Sequence, residues 1–182
     1  KSDYKTDFIL IYLNSNSFKE NAFYIQSTID QRLQKLSEKS LLDNLALFER
    51  KYRNWEGSYK NLEDILKFDN EHWKIAKVVK KNSNILEVSI INKNETIILN
   101  KENNLFGPNK IHPNNYLNLN DYLFISNIDG SYYAVQPHEI NGSVIIMDPY
   151  NGDIISMVGG VNYELSNFNR VSQAYRQPGS SI

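Results

Sequence analysis

Apolar residues recur at helical spacing after Asp30 and at strand spacing from Trp73 onward. Charged residues separate the apolar positions of the first stretch, which are Leu33, Leu36, Leu41, Leu45 and Phe48. This spacing predicts an amphipathic helix of about 20 residues. Thr28 or Asp30 is expected to cap its start, and a short strand at 23–25 is predicted just before it.

The middle of the chain predicts short strands joined by tight turns. Leu86, Val88 and Ile90 alternate with polar residues, which is the period of a half-buried strand. The runs that predict strands are 73–79, 85–91, 96–99, 122–125 and 132–136. Turn residues between them lie at 82–84, 92–94 and 129–130. About five short strands with such turns predict a small antiparallel barrel of the OB-like kind.

A last pair of apolar runs, 144–147 and 154–158, predicts a hairpin whose turn is 148–153. The predicted fold class is therefore α+β, mainly β with one linker helix. It combines an OB-like antiparallel barrel with a separate hairpin. We predict three segments, which are a linker at 1–54, the OB-like insert at 55–138 and a hairpin segment at 139–182.

Composition narrows the function classes. The 182 residues include 20 Lys and Arg against 21 Asp and Glu, a net charge of −1 that argues against binding nucleic acid through overall charge. The chain has no cysteine, which excludes a disulfide scaffold, a thiolate zinc site and a Cys nucleophile. No apolar run reaches the roughly 18 residues of a membrane-spanning helix. Both ends look cut, so we expect a fragment of a longer protein.

The hairpin region carries the most specific motif. The run DPYNGDIISMVGG at 148–160 is followed by FNR at 168–170, QA at 173–174 and RQPGS at 176–180. This ordered series resembles the start of the transpeptidase domain in class A penicillin-binding proteins, which are bifunctional cell-wall synthases. Ser156 stands where the family usually carries Ala, a small-for-small change.

Two upstream stretches extend the resemblance. YIQSTID at 24–30, followed by LQ at 33–34, is similar to the family's linker strand and helix. NDYLFI at 120–125, followed by QP at 136–137 and NG at 141–142, resembles the end of the OB-like insert of the 1A subgroup. Asn120 replaces a Gly of that pattern, and Asn tolerates the same left-handed turn conformation.

The resemblance implies a catalytic serine. Family enzymes use an S-x-x-K motif in which one helical turn brings the Lys amine beside the Ser hydroxyl. Ser180 matches the nucleophile, with Ser181 and Ile182 as the two intervening residues. The lysine would come next, so we expect this chain alone to be inactive.

The resemblance also implies what the parent protein does. It would polymerise lipid II and cross-link peptidoglycan stem peptides through an acyl-serine, and β-lactam antibiotics would acylate the same serine. It would work at the periplasmic face of the bacterial inner membrane, anchored by a segment outside this chain. No cofactor is implied for the fragment, whereas a divalent cation is implied for the glycosyltransferase domain.

Two alternative functions use other residues. An OB-like insert could be a docking module for a regulatory protein or peptidoglycan, and exposed aromatics near Trp73, Tyr132 and Tyr133 would support that role. The lysines at 74, 77, 80 and 81 beside Trp73 could instead grip single-stranded nucleic acid, but a solvated barrel face is the simpler interpretation. His72, His112 and His138 lack an i, i+4 partner, so no metal site is expected.

Overall fold

The chain divides into two compact units, 1–42 together with 141–182, and 43–140. The computed structural model describes residues 26–68, 72–82, 85–93, 95–100, 102, 104–161 and 167–175. The strand predicted at 23–25 therefore lies outside the described residues. Among those described, no helix is both long enough and apolar enough to cross a membrane.

The predicted helix is present as α1, Gln31–Tyr52. Its start is capped by Asp30, whose Oδ1 accepts a hydrogen bond from the backbone N–H of Leu33 at 2.8 Å. Its buried face differs from the apolar pattern, because Leu36 and Phe48 are each 52% exposed. The buried positions are Gln34, Ser37, Leu41, Leu42, Asp43, Ala46 and Glu49. Polar residues can occupy this face because hydrogen bonds satisfy them; Asp43, for example, accepts the Ser126 hydroxyl at 2.8 Å.

The second unit contains a short helix, α2 at Leu62–Leu66, and a five-stranded antiparallel sheet. Its strands are β1 (Lys74–Lys81), β2 (Ile85–Ile90), β3 (Thr96–Asn100), β4 (Tyr122–Ile128) and β5 (Ser131–Val135). They lie in the order β3-β2-β1-β4-β5, and every pair is antiparallel. In the described part of the chain the edge strands β3 and β5 approach each other without pairing, so no closed barrel forms.

One face of this sheet holds the core of the second unit. Trp55 and Phe106 meet edge to face with ring centroids 4.8 Å apart. Fully buried aliphatic side chains fill the rest, and they include Val78, Leu86, Val88, Leu99, Leu117, Leu123 and Ile125. Each such side chain stabilises the fold by about 1.5–3 kcal/mol relative to exposure. The alternation read from the sequence of β2 is confirmed, since Leu86, Val88 and Ile90 are all buried.

A tight turn before β4 confirms the expectation for Asn120. Its φ of 71° lies in the left-handed region that the family's Gly would also adopt. Asp121, the next residue, accepts the backbone N–H of Asn118 at 2.8 Å and pairs with Lys60 at 2.7 Å. The turn is therefore held by one local hydrogen bond, by the ion pair with Lys60 and by backbone conformation.

The first unit contains the predicted hairpin, β6 (Val144–Met147) and β7 (Ile154–Val158). Its turn closes through the bond that the Asp148 N–H donates to the Asp153 carbonyl at 2.8 Å, and Gly152 adopts a φ of 79° there. The segment before α1 lies along β7. Thr28 Oγ1 donates to the Ile154 carbonyl at 2.6 Å, and the Asp30 N–H donates to the Ile155 carbonyl at 2.9 Å.

Candidate functional site

The candidate nucleophile itself, Ser180, lies outside the described residues, as does the RQPGS run that contains it. The segment that leads toward it is described as far as residue 175. What can be built from the residues upward is the support of that segment in the first unit. Its parts are the turn at 169–173, strand β7 and the first turns of α1.

Asn169 organises the turn that leads toward Ser180. Its Oδ1 accepts the backbone N–H groups of Val171 at 2.9 Å and Ser172 at 3.4 Å. In return, the side chain of Gln173 accepts the backbone N–H of Asn169 at 2.7 Å. This reciprocal arrangement works like a capping box, with one side chain at each end satisfying backbone donors at the other. It gives a physical reason for the Asn and Gln of the FNR…QA motif.

The turn is also tied to β7. Asn169 is 2% exposed, and its Nδ2 donates to Sδ of Met157 at 3.7 Å. The N–H of Arg170 donates to the carbonyl of Gly159 at 3.0 Å. Arg170 lies with its guanidinium 5.6 Å from the Phe168 ring centroid, a cation–π contact. The position of the turn therefore depends on the position of β7.

Gln34 of α1 fixes β7 in turn. Its Nε2 donates to the Met157 carbonyl at 2.9 Å and to Glu38 at 2.7 Å. Its Oε1 accepts the Met157 N–H at 2.9 Å and the Ser156 hydroxyl at 3.2 Å. Both amide hydrogens and both oxygen lone pairs are thus used, and Gln34 pairs with β7 as a neighbouring strand would. This explains the Gln of the linker motif.

Ser156 uses the space where the family usually carries Ala. It is fully buried, and its hydroxyl donates to Gln34 Oε1 at 3.2 Å and is in hydrogen-bond contact with the Ser37 hydroxyl at 2.9 Å. A buried hydroxyl is tolerated only with such partners. The small-for-small change thus comes with a matching serine on α1.

We predict that Gln34→Leu lowers the free energy of unfolding by about 2–4 kcal/mol, because it leaves the buried N–H and C=O of Met157 without partners. Chemical denaturation followed by circular dichroism measures the loss. Gln31→Leu is the matched control on the same helix, since Gln31 is exposed, and it should stay within about 0.5 kcal/mol of the wild type. Equal effects of the two variants would contradict this role of Gln34.

In the second unit, Glu49 near the end of α1 has three hydrogen-bond partners and one ion-pair partner. Its Oε2 lies 2.6 Å from His138 Nδ1, and its Oε1 accepts the N–H groups of Glu139 at 2.8 Å and Ile140 at 3.2 Å. Arg53 lies one turn further, with Nη1 3.9 Å from Glu49. Both partners of the Glu49–His138 pair are buried, at 5% and 3% exposure. The pair attaches residues 138–140 to α1.

Because of its surroundings, the ionisation of Glu49 contributes to the free energy of unfolding. Burial raises the pKa of Glu49, but the hydrogen bonds from His138, Glu139 and Ile140 outweigh burial, so its pKa lies below the ordinary value of 4.5. A lowered carboxyl pKa means that this contribution is fully present above about pH 4.5 and is lost as the pH falls through the folded-state value.

We therefore predict that the free energy of unfolding decreases as the pH is lowered below 4.5, and that Glu49→Gln flattens this decrease. Denaturation curves recorded between neutral pH and pH 3, roughly one unit below an ordinary Glu pKa, measure both slopes. Glu56→Gln should leave the slope unchanged, because the Glu56 side chain is 63% exposed. A Glu49→Gln variant with the wild-type slope would contradict the assignment.

The aromatic residues offered for docking do not form an exposed surface. Trp73 is only 6% exposed, because its ring packs against Phe124 at 5.7 Å and against His138 at 5.1 Å. Tyr132 and Tyr133 are half-buried. Trp73 therefore does not supply the exposed aromatic surface that would support a docking role, because its side chain packs against Phe124 of the sheet.

The guanidinium of Arg50 packs over the ring of Tyr133. It lies 4.8 Å from that ring centroid and 5.2 Å from the Phe106 ring. Burial lowers the pKa of Arg50 to about 10, so it remains charged at neutral pH. This sandwich holds the end of α1 to the sheet, and the apolar helical pattern alone gave no sign of it.

The lysine cluster does not form a continuous basic surface. The four side chains have separate partners: Lys74 the Tyr132 ring, Lys77 the Tyr122 ring, Lys80 the Glu87 carboxylate and Lys81 the Leu117 carbonyl. These contacts favour the solvated-face interpretation over a nucleic-acid groove. In the described residues no group of three or more His, Asp or Glu side chains could hold a metal ion.

No family model matches the chain. The curated relatives and the solved structure that it matches nevertheless agree on one family. Penicillin-binding protein 1A of Rickettsia felis is 30% identical over 94% of this chain, and that of Aquifex aeolicus is 28% identical over 100% of it. The chain spans 23% and 25% of these two relatives. Penicillin-binding protein 1A of Pseudomonas aeruginosa is 40% identical over 44% of the chain.

A solved structure has the same fold. The crystal structure of penicillin-binding protein 1A from Haemophilus influenzae matches 100% of this chain and 29% of its own, with a TM-score of 0.71 at 21% identity. The sequence similarity and this fold extend over the linker, the five-stranded sheet and the hairpin alike. The chain therefore belongs, as a segment, to the class A penicillin-binding proteins of the 1A type.

Proposed function

We propose that this chain is the segment of a peptidoglycan synthase that leads into its transpeptidase nucleophile, Ser180. The observation that carries the proposal is the similarity to penicillin-binding proteins 1A along 94% of the chain. The arrangement of Asn169 and Gln173 supports it, because Gln173 precedes Ser180 by only seven positions. A turn fixed so closely before a nucleophile restricts where that nucleophile can lie.

In the whole protein, the hydroxyl oxygen of Ser180 attacks the carbonyl carbon of the penultimate D-Ala of a stem peptide. The bond to the terminal D-Ala breaks, and D-Ala leaves with the proton taken from the serine. The acyl group then passes from Ser180 to the amine of a neighbouring stem, or to water. A β-lactam resembles the D-Ala-D-Ala end, so it acylates Ser180 and stays attached.

This chain contributes support rather than the complete site. The general base and the groups that stabilise the oxyanion belong to other parts of the whole protein, which also polymerises lipid II at the periplasmic face of the inner membrane. The described residues hold no His, Asp and Glu cluster suited to the divalent cation of the glycosyltransferase.

The release of D-alanine tests the proposal. The whole protein, incubated with peptidoglycan stem pentapeptide, should release terminal D-alanine, and prior treatment with penicillin should stop the release. The chain of 182 residues alone is the control and should release none. A whole protein that is folded but releases no D-alanine with any stem pentapeptide would contradict the proposal.

A further inference from the structure

The sequence contains two Asn-Gly pairs, Asn141-Gly142 and Asn151-Gly152, and the structure places them in different surroundings. We propose that Asn141 is a site of spontaneous deamidation, whereas Asn151 is protected by its turn. Both asparagines are exposed. The sequence alone predicts equal reactivity, because the residue after each asparagine is the same.

The reaction needs the backbone nitrogen of the following residue as the nucleophile. That nitrogen loses its proton to a base and attacks Cγ of the asparagine side chain. A C–N bond forms, the bond from Cγ to Nδ2 breaks, and ammonia leaves. Water then opens the resulting five-membered ring at either carbonyl, which gives aspartate or isoaspartate. Glycine favours the attack because it has no Cβ to obstruct ring closure.

The side chain of Asn141 is already folded over this nucleophile. The nitrogen of Gly142 lies 2.9 Å from Asn141 Oδ1, which brings it close to the adjoining Cγ. The N–H of Val161 donates to the same Oδ1 at 2.9 Å. As the attack proceeds, negative charge develops on that oxygen, and the Val161 N–H remains in place to stabilise it. The arrangement acts as a one-donor oxyanion hole.

The corresponding groups at Asn151 are all engaged elsewhere. Its Oδ1 accepts the Asp153 N–H at 2.9 Å, and its Nδ2 donates to the Asp153 carboxylate at 2.9 Å. The nitrogen of Gly152 donates to the carbonyl of Asp148 at 2.9 Å. Ring closure would have to break the bonds that Asn151 Nδ2 and the Gly152 nitrogen donate to Asp153 and Asp148, so the hairpin turn raises the barrier at Asn151.

Conversion at Asn141 would change both charge and chain geometry where the chain enters β6. Either product adds a negative charge beside the N–H of Val161. Isoaspartate also routes the backbone through the side-chain carbon, which lengthens the main chain just before Val144. Deamidation at Asn141 would therefore be a slow reaction with water that alters the backbone before β6 in the first unit.

Ageing of the folded chain at mildly alkaline pH, followed by peptide mapping in a mass spectrometer, tests the proposal. We expect Asn141 to deamidate on the order of tenfold faster than Asn151, because Asn141 lacks the hydrogen bonds that protect Asn151. The variant Gly142→Ala should slow the reaction at 141 and leave 151 unchanged. Gly142 does not have the positive φ at which Ala would be strained.

A chain unfolded in urea provides the decisive control. Without the fold, the two sites should react at similar rates, because each then has only its own Asn-Gly sequence. Equal rates in the folded chain, or faster reaction at Asn151, would overturn the proposal. A difference that persists undiminished in urea would overturn it too, since neighbouring sequence rather than the fold would then set the rates.

Discussion

Replacing Ser180 by Ala should abolish the acylation of the whole protein by a fluorescent penicillin. The substitution removes the only oxygen that our account allows to form the acyl bond. Loss of a nucleophilic serine lowers the rate of such reactions by roughly 10³-fold or more. Gel fluorescence after a fixed time with the labelled antibiotic gives the readout.

Ser181→Ala is the matched control, because it removes the same atom from the next residue. This variant should keep labelling, with at most a modest change in rate. Circular dichroism should show that both variants are folded. If Ser181→Ala loses labelling while Ser180→Ala retains it, the register of the S-x-x-K motif proposed here is wrong.

Glu49→Leu should lower the free energy of unfolding by about 3–5 kcal/mol, the range for breaking a buried pair at one partner. In the described residues Glu49 supplies the one hydrogen bond of the buried His138 ring. The substitution also strips the N–H groups of Glu139 and Ile140 of their acceptor. Denaturant unfolding measures the change.

Two further variants separate the pair from a general effect of charge or size. Glu49→Gln keeps an oxygen for the two N–H groups and a donor for His138, so it should lose less than half as much. Glu56→Leu makes the same change at a carboxylate 63% exposed, and it should cost within about 0.5 kcal/mol. Similar losses for Glu49→Leu and Glu56→Leu would contradict the stabilising role assigned to the buried Glu49–His138 pair.

The sequence predicted the elements of this fold well. Every strand run from 73 to 158 is confirmed, because alternation and turn residues reflect backbone requirements that act locally. Asn120 is the clearest case, since its left-handed φ of 71° follows from the kind of residue needed there. The strand pattern predicts an OB-like barrel, but closure of a barrel requires the edge strands β3 and β5 to pair, which no local pattern encodes.

The buried face of α1 shows where pattern reading fails. Leu36 and Phe48 fit the helical period but are half exposed, whereas Gln34 and Glu49 are buried. A hydropathy pattern predicts that a polar residue is exposed unless its hydrogen-bond partner is known. The partners of Gln34 and Glu49 are Met157 and His138, which are about 90 to 120 positions away in sequence. Polar residues three or four apart on one helix face were the available signal.

The candidate site was predictable only as a motif. The resemblance of FNR…QA to a family pattern named Asn169 and Gln173 without giving them a task. The structure shows their role, since the two side chains accept backbone hydrogen bonds that hold the turn at 169–173. Ser180 stays a prediction, because it lies outside the described residues.

The position of the penicillin adduct tests the central claim most directly. The whole protein, treated with penicillin, digested and sequenced by tandem mass spectrometry, should carry the acyl group on Ser180 alone. An adduct on Ser181, or on a serine outside this segment, would contradict the claim that this chain leads into the transpeptidase nucleophile.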